Sequence, residues 1–178
     1  DEMEQAFRTT WQGLDVSFHH EDDQIGDTAY RERITFSAFG PVDNGTQCLY
    51  GLDYRMAAWR GDEVDPFHTE IGYWLWDADA GQVMRAFMVP RGTVVLAGGT
   101  ATADARSFTM TAEAGVEDYG ILSNKYLLEH AKTVRYEVSV TIGDDGSLTY
   151  GEDSVLKMTH TDELVHHTDR NVLQKVDG

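Results

Sequence analysis

The sequence predicts an all-β fold, an up-and-down antiparallel β-barrel of about ten strands with one short helix, built as a single domain from residues 1–178. Three observations predict it. Apolar and polar residues alternate with period two through most of the chain, most cleanly over Thr133 to Ile142, where Val134, Tyr136, Val138, Val140 and Ile142 share a face. Turn signals such as Asp43-Asn44-Gly45 and Gly143-Asp144-Asp145-Gly146 separate the alternating runs. One stretch alone, within Val116 to His130, reads as helical. A β-sandwich is the competing architecture.

Residues 4 to 13, with Phe7 and Trp11-Gln12-Gly13, read as the first strand, continued by Val16 to Phe18. His19-His20-Glu21-Asp22-Asp23 opens a polar, loop-like stretch running to about Thr28. Adjacent histidines on an extended chain point to opposite sides, so a solvated acidic loop is preferred there to a metal site. Strands follow over Arg31 to Phe39, with Ile34, Phe36 and Ala38 on one face, and over Gln47 to Trp59, with Cys48, Tyr50, Leu52, Tyr54, Met56 and Ala58 on one face.

Phe67 to Trp76 is the most aromatic segment. Period two sends Phe67, Thr69, Ile71, Tyr73 and Leu75 one way and His68, Glu70, Gly72, Trp74 and Trp76 the other. Large side chains on both faces predict a strand covered on both sides. A histidine and a carboxylate on one covered face need partners, since an unpaired buried charge is unfavourable. The pair is therefore either a polar brace or part of a ligand pocket.

Val83 to Val89 and Thr93 to Thr100 are the next strands. Gly98-Gly99 in the second marks a bulge or a close backbone approach. Phe108, Met110 and Ala112 supply the inward half of another. Ser123 or Asn124 is placed to cap a helix over Lys125 to His130. His130 near its C-terminus suits the helix dipole. Leu148 to Met158 pairs back on the Thr133 strand, Thr161-Asp162-Glu163 interrupts the run, and His166 to Val176 forms the last strand.

The charge is −17, from 14 Lys and Arg against 31 Asp and Glu. Nucleic acid and anionic membranes require basic patches, so neither is an expected partner. The single cysteine, Cys48, reads as a buried thiol. No apolar run reaches membrane-span length and no basic-then-apolar leader opens the chain, which makes the cytoplasm the expected compartment.

Taken together, Trp11-Gln12-Gly13, Tyr30-Arg31-Glu32-Arg33-Ile34-Thr35-Phe36 closing on Gly40-Pro41, Phe67-His68-Thr69-Glu70-Ile71-Gly72-Tyr73-Trp74, Pro90-Arg91-Gly92, Ala131 to Tyr136, Leu148-Thr149-Tyr150 and His167 to Leu173 span nearly the whole chain. This set resembles the nitrobindin-like haem-binding β-barrels, relatives of the fatty-acid-binding and lipocalin (calycin) barrels. The His-x-Glu-x-Gly block and the late histidine carry the specificity of the match.

The resemblance implies His167 as proximal ligand of a ferric haem b iron, with His68 near the porphyrin and Glu70 beside it. It also implies reaction with nitric oxide and, with haem bound, peroxynitrite isomerase activity. His166, next to His167, leaves the ligand register open. Leu14 to Ala29 departs from the family's Gly-rich, Tyr-Pro-containing turn, being longer and acidic, and is expected near the pocket mouth.

A neutral imidazole ligates iron through one nitrogen when a carboxylate or carbonyl holds the other. Met84, Met88, Met110, Tyr54 and Phe36 are candidate cavity residues, each also compatible with plain core. Two further readings compete. One is a haem-free barrel carrying a lipophilic small molecule, with His68 and Glu70 orienting its head group. The other is a non-haem metal enzyme using some of His19, His20, His160, His166 and His167, disfavoured because no metal-binding spacing is present. A homodimer through a barrel edge or an exposed aromatic patch is a further expectation.

Overall fold

The computed structural model describes the backbone of residues 9–21 and 24–176 and the side chains of residues 29–176. The expectations for Phe7 and Asp22-Asp23 lie outside the described residues, as do those for the side chains of Trp11, His19 and His20.

The chain forms β1 (Thr9–Glu21), β2 (Gln24–Asn44), β3 (Gln47–Arg60), β4 (His68–Asp77), β5 (Gln82–Val89), β6 (Thr93–Thr100), β7 (Ser107–Ala114) and β8 (Gly120–Ser123). Helix α1 (Lys125–His130), β9 (Ala131–Ile142), β10 (Leu148–Met158) and β11 (Leu164–Val176) follow. The strands close into a barrel in the order β1-β11-β10-β9-β7-β8-β6-β5-β4-β3-β2. It is a meander except at β8, which inserts between β6 and β7, antiparallel to the first and parallel to the second. Closure removes the free sheet edges that a lone meander would present.

Alternation placed most strands correctly because residues of one parity line the lumen. Ile34 and Phe36 on β2, Tyr54, Met56 and Ala58 on β3, Met110 and Ala112 on β7, Tyr136, Val138 and Val140 on β9, and Leu173 on β11 are buried in one core. The helix lies where expected. Asn124 caps it by accepting from the Leu127 N–H at 2.9 Å, and His130 Nδ1 lies 2.9 Å from the Tyr126 carbonyl oxygen in the last turn. Glycines at 98 and 99 serve close approach. A Cβ on Gly98 would lie 2.1 Å from the Tyr119 ring, and one on Gly99 2.0 Å from the Thr109 carbonyl oxygen.

Four expectations need correction. His19 to Glu21 and Gln24 to Thr28 are strand rather than loop: β1 and β2 continue as a paired ladder to Glu21↔Gln24, beyond the last β2–β3 pair at Tyr30↔Arg60. A polar sequence suffices there because β3 does not extend beneath the ladder, so the register of β1 on β2 carries the hydrogen bonding. β4 is covered on one side only, Ile71 and Tyr73 being exposed on the outer surface. The phase of β3 changes near Gly51, which stacks under the Phe39 ring beside a register shift in β2, so Leu49 is buried and Tyr50 exposed. Cys48 is half-buried rather than buried.

Candidate functional site

The end of the barrel where β3 stops and β4 and β11 begin carries the two histidines singled out from the sequence. His68 opens β4 opposite Ala58 of β3, and His167 on β11 pairs with Ser154 of β10. Buried Leu173 and Asn171 fix the lumenal parity of β11, which continues through Asp169 to His167. His166 therefore points outward, where its Nδ1 lies 2.7 Å from Asp153 Oδ2.

Each lumenal histidine has a carboxylate two residues along its own strand. His68 Nε2 is 3.2 Å from Glu70 Oε1. His167 Nε2 is 3.6 Å from Asp169 Oδ2, an ion-pair rather than a hydrogen-bond distance. Burial depresses the His68 pKa, but Glu70 outweighs it and the net shift is upward. Asp169 raises the His167 pKa against burial. The two rings lie within each other's electrostatic reach, His68 opposing protonation of His167.

Beneath them the lumen holds Arg85 of β5. Its Nη2 donates to Glu70 Oε2 at 2.6 Å, its Nη1 to Glu152 Oε2 at 3.0 Å and to the Tyr136 hydroxyl, and its Nε to the Tyr54 hydroxyl at 3.2 Å. Tyr54 in turn donates to Glu70 at 2.9 Å and Tyr136 to Glu152 at 2.7 Å. Each carboxylate thus takes one tyrosine and one arm of the guanidinium. The Phe87 ring lies 4.5 Å from the Arg85 carbon and Trp74 5.5 Å, aromatic faces that suit a desolvated cation.

One cation cannot balance two carboxylates. Burial pushes both acids up, but the guanidinium overcomes it at Glu70, which is held well below the usual range. Glu152 stays raised. Glu152 therefore accommodates the surplus charge by holding a proton more readily.

A third buried acid stands nearby. Glu32 Oε2 accepts from Tyr150 and from Asn171 Nδ2, both at 2.8 Å, and the Tyr30 hydroxyl lies 2.8 Å from that of Tyr150. Burial, only partly offset by these donors, raises Glu32 to about 7.

Of the sequence-predicted site residues, His68 and Glu70 are adjacent and bonded, and His167 shares their end of the lumen. Both Glu70 oxygens are engaged, so Glu70 acts on anything in the lumen through His68. Tyr54, Phe36 and Met110 face inward as expected. Met84 and Met88 do not: β5 turns Val83, Arg85 and Phe87 inward and leaves Met88 exposed. The sequence reading missed Glu32, Arg85, Tyr136, Tyr150, Glu152 and Asn171. The available signal was phase, since each falls in step with large apolar neighbours, as Arg85 does with Val83 and Phe87.

Among the described residues no group of three or more His, Cys, Asp or Glu is placed to hold a bare metal ion; the side chains of His19 and His20 lie outside them. One imidazole with a carboxylate behind it suits instead an iron that brings its own equatorial ligands. Among the described residues no helix is long and apolar enough to cross a membrane.

A family model described as "THAP4-like, heme-binding beta-barrel domain" matches residues 6–175. No curated protein matches the sequence. Among solved structures, that of Rv2717c from M. tuberculosis superimposes with a TM-score of 0.70 at 18% identity, covering 96% of this chain and 93% of the other. At that identity the likeness bears on the fold alone.

Proposed function

The chain belongs to the THAP4-like, haem-binding β-barrel domain family, and on that premise we propose that it binds haem b at the end of the lumen carrying His68 and His167, with His167 the axial ligand of ferric iron. The observation that carries this reading is the placement of His167, and not His166, on the lumenal face with Asp169 beside its Nε2. Bound haem would supply a redox-active iron able to take a small ligand, and nitric oxide sensing or isomerisation of peroxynitrite to nitrate is the activity we assign to it.

The chain's own residues have distinct tasks in this reading. His167 would hold the iron through the ring nitrogen not turned to Asp169, and the carboxylate beside the other nitrogen would make it the stronger donor. His68, anchored through Nε2 on ionised Glu70, keeps its other nitrogen for exchanging a proton with a ligand in the lumen. Arg85 and Tyr54 fix Glu70 and thereby the His68 ring. Phe67 and Tyr30, in edge contact at 6.2 Å between centroids, supply an apolar wall.

The competing reading, a haem-free carrier of a lipophilic small molecule, meets an obstacle where that molecule is an acid. Arg85 already holds Glu70 and Glu152, so a lipid carboxylate would have to displace one of them. Hemin titration followed by absorbance separates the readings. A saturable, near-stoichiometric Soret band that is lost in a folded His167→Ala variant supports the haem barrel. A weak, unsaturable band equal in both proteins overturns it, and mass spectrometry of co-purifying small molecules then tests the carrier.

A further inference from the structure

Two tyrosine pairs line the lumen, and they differ in whether their hydroxyls can turn. Tyr54 and Tyr136 each accept from Arg85 and donate to a carboxylate, Tyr54 to Glu70 and Tyr136 to Glu152. A guanidinium only donates, so both of these hydroxyls are fixed in direction. In the other pair the Tyr30 and Tyr150 oxygens lie 2.8 Å apart, and Tyr150 is 2.8 Å from Glu32 Oε2. Neither hydroxyl takes a bond from a cation among the described residues, so each can donate either way along the chain.

Glu32 is the inner end of this chain. Its lateral neighbours are Gly13 of β1 and Ala58 of β3, neither of them charged. The polar groups that face it are Tyr150 and Glu152 of β10, Asn171 of β11 and Glu70 of β4. Asn171 Oδ1 accepts from the Val172 N–H at 2.8 Å, which keeps Nδ2 on Glu32. Burial and, less strongly, the two carboxylates push Glu32 up to about 7, so it changes protonation near neutrality.

Tyr30 is the outer end. It makes the last β2–β3 pair, with Arg60, and its ring meets Phe67, the residue before His68. The charge it feels most strongly is that of Asp169, the carboxylate beside His167. Asp169 Oδ1 is buried and takes no donor among the described residues. An acceptor is thus available to a Tyr30 hydroxyl that turns from Tyr150.

We propose that Glu32 is a proton store for the end of the lumen that carries His68 and His167, filled and emptied through the Tyr150 and Tyr30 hydroxyls. To fill it, the Tyr30 oxygen gains a proton from that end and passes its own to the Tyr150 oxygen. Tyr150 passes its own to Glu32 Oε2. Only O–H bonds form and break, no net electron transfer occurs, and both hydroxyls end reversed. Emptying runs the same transfers backwards and delivers one proton to an oxyanion or a base, besides the proton that His68 exchanges. The proposal rests on the reading of that end as the ligand site, but the relay itself needs no haem.

Carbon-13 NMR of the full chain without hemin, labelled at the glutamate carboxyl carbons, tests the relay. Loss of a signal in Glu32→Gln assigns Glu32. In the wild type this signal titrates near neutral pH as one exchange-averaged line. Tyr30→Phe, which leaves the Tyr150 bond to Glu32 in place, keeps the midpoint and splits the line. Its proton exchange slows by about a hundredfold, the low end of what a positioned proton-transfer group contributes. Tyr150→Phe slows exchange as much and also raises the midpoint, since a donor to the carboxylate is gone. A purely structural role moves midpoints but not rates. Exchange as fast in Tyr30→Phe as in the wild type overturns the proposal, as does a Glu32 that does not titrate near neutral pH. Hemin plays no part here, so failure counts against the relay alone, whereas a failed hemin titration counts against the haem reading alone.

Discussion

Arg85 on β5 and Glu70 on β4 meet at 2.6 Å inside the barrel, and His68 is bonded to the other oxygen of the same carboxylate at 3.2 Å. A buried ion pair of this kind adds little stability compared with well-packed apolar side chains, yet removing one partner is severe because the other is left uncompensated. The arrangement therefore reads as a device that fixes the direction of an imidazole.

Arg85→Met is expected to destabilise the barrel by about 3–5 kcal/mol, since two buried carboxylates lose their common cation. Urea denaturation checks this. A loss below about 1 kcal/mol, the range of exposed pairs, would mean that the guanidinium does not neutralise Glu70 and Glu152.

Glu70→Gln should lower the His68 pKa from its raised value, because the carboxylate that outweighs burial is removed and only Glu152 and Asp169 still oppose it. NMR titration of the ring protons reads this directly. An unchanged pKa would place His68 outside the control of Glu70.

The folded pKa of Glu32, about 7, exceeds its ordinary 4.5, so the folded state binds the extra proton between those values. The contribution of this group to stability is complete below pH 4.5 and is lost as pH rises through about 7, a loss on the order of 3 kcal/mol. Glu70 behaves oppositely, its folded pKa of about 2 making stability fall only at acid pH. Glu32→Gln, which can still accept from Tyr150 and Asn171, should therefore gain on the wild type as pH is raised from 5 to 8 in denaturation series (roughly this window). A difference independent of pH would contradict the assignment.

Gly72→Ala is expected to force β4 from β5, because the added Cβ would lie 2.0 Å from the Ala86 carbonyl oxygen, a backbone atom that cannot rotate away. Overpacking at such a site costs about 1–3 kcal/mol or more. Thermal denaturation measures it, and a neutral outcome would show that the two strands separate freely.

Much of the fold was legible because a strand's period is two and each lumenal face repeats it. The β9 alternation and the Asn124 cap were read from single residues with a physical meaning. The errors share a cause: period two gives faces but not which face is inside. On β5, Met84 and Met88 were as apolar as Val83 and Phe87, so the inward phase, and with it Arg85, was missed. On β3 the phase changed at Gly51, where a ring from the neighbouring strand takes the place of a side chain. His68, Glu70 and His167 stood out as site candidates through their residue types and phase, but the Arg85 network depends on contacts between strands β3, β4, β5, β9 and β10, some of them distant in sequence.

The central claim is that His167 holds the iron, and a cavity rescue tests it most directly. Hemin affinity should be lost in His167→Gly, restored by millimolar imidazole entering the vacated space, and unchanged in His166→Gly. Loss in His166→Gly with binding retained in His167→Gly, or equal hemin binding by both variants without imidazole, would contradict it.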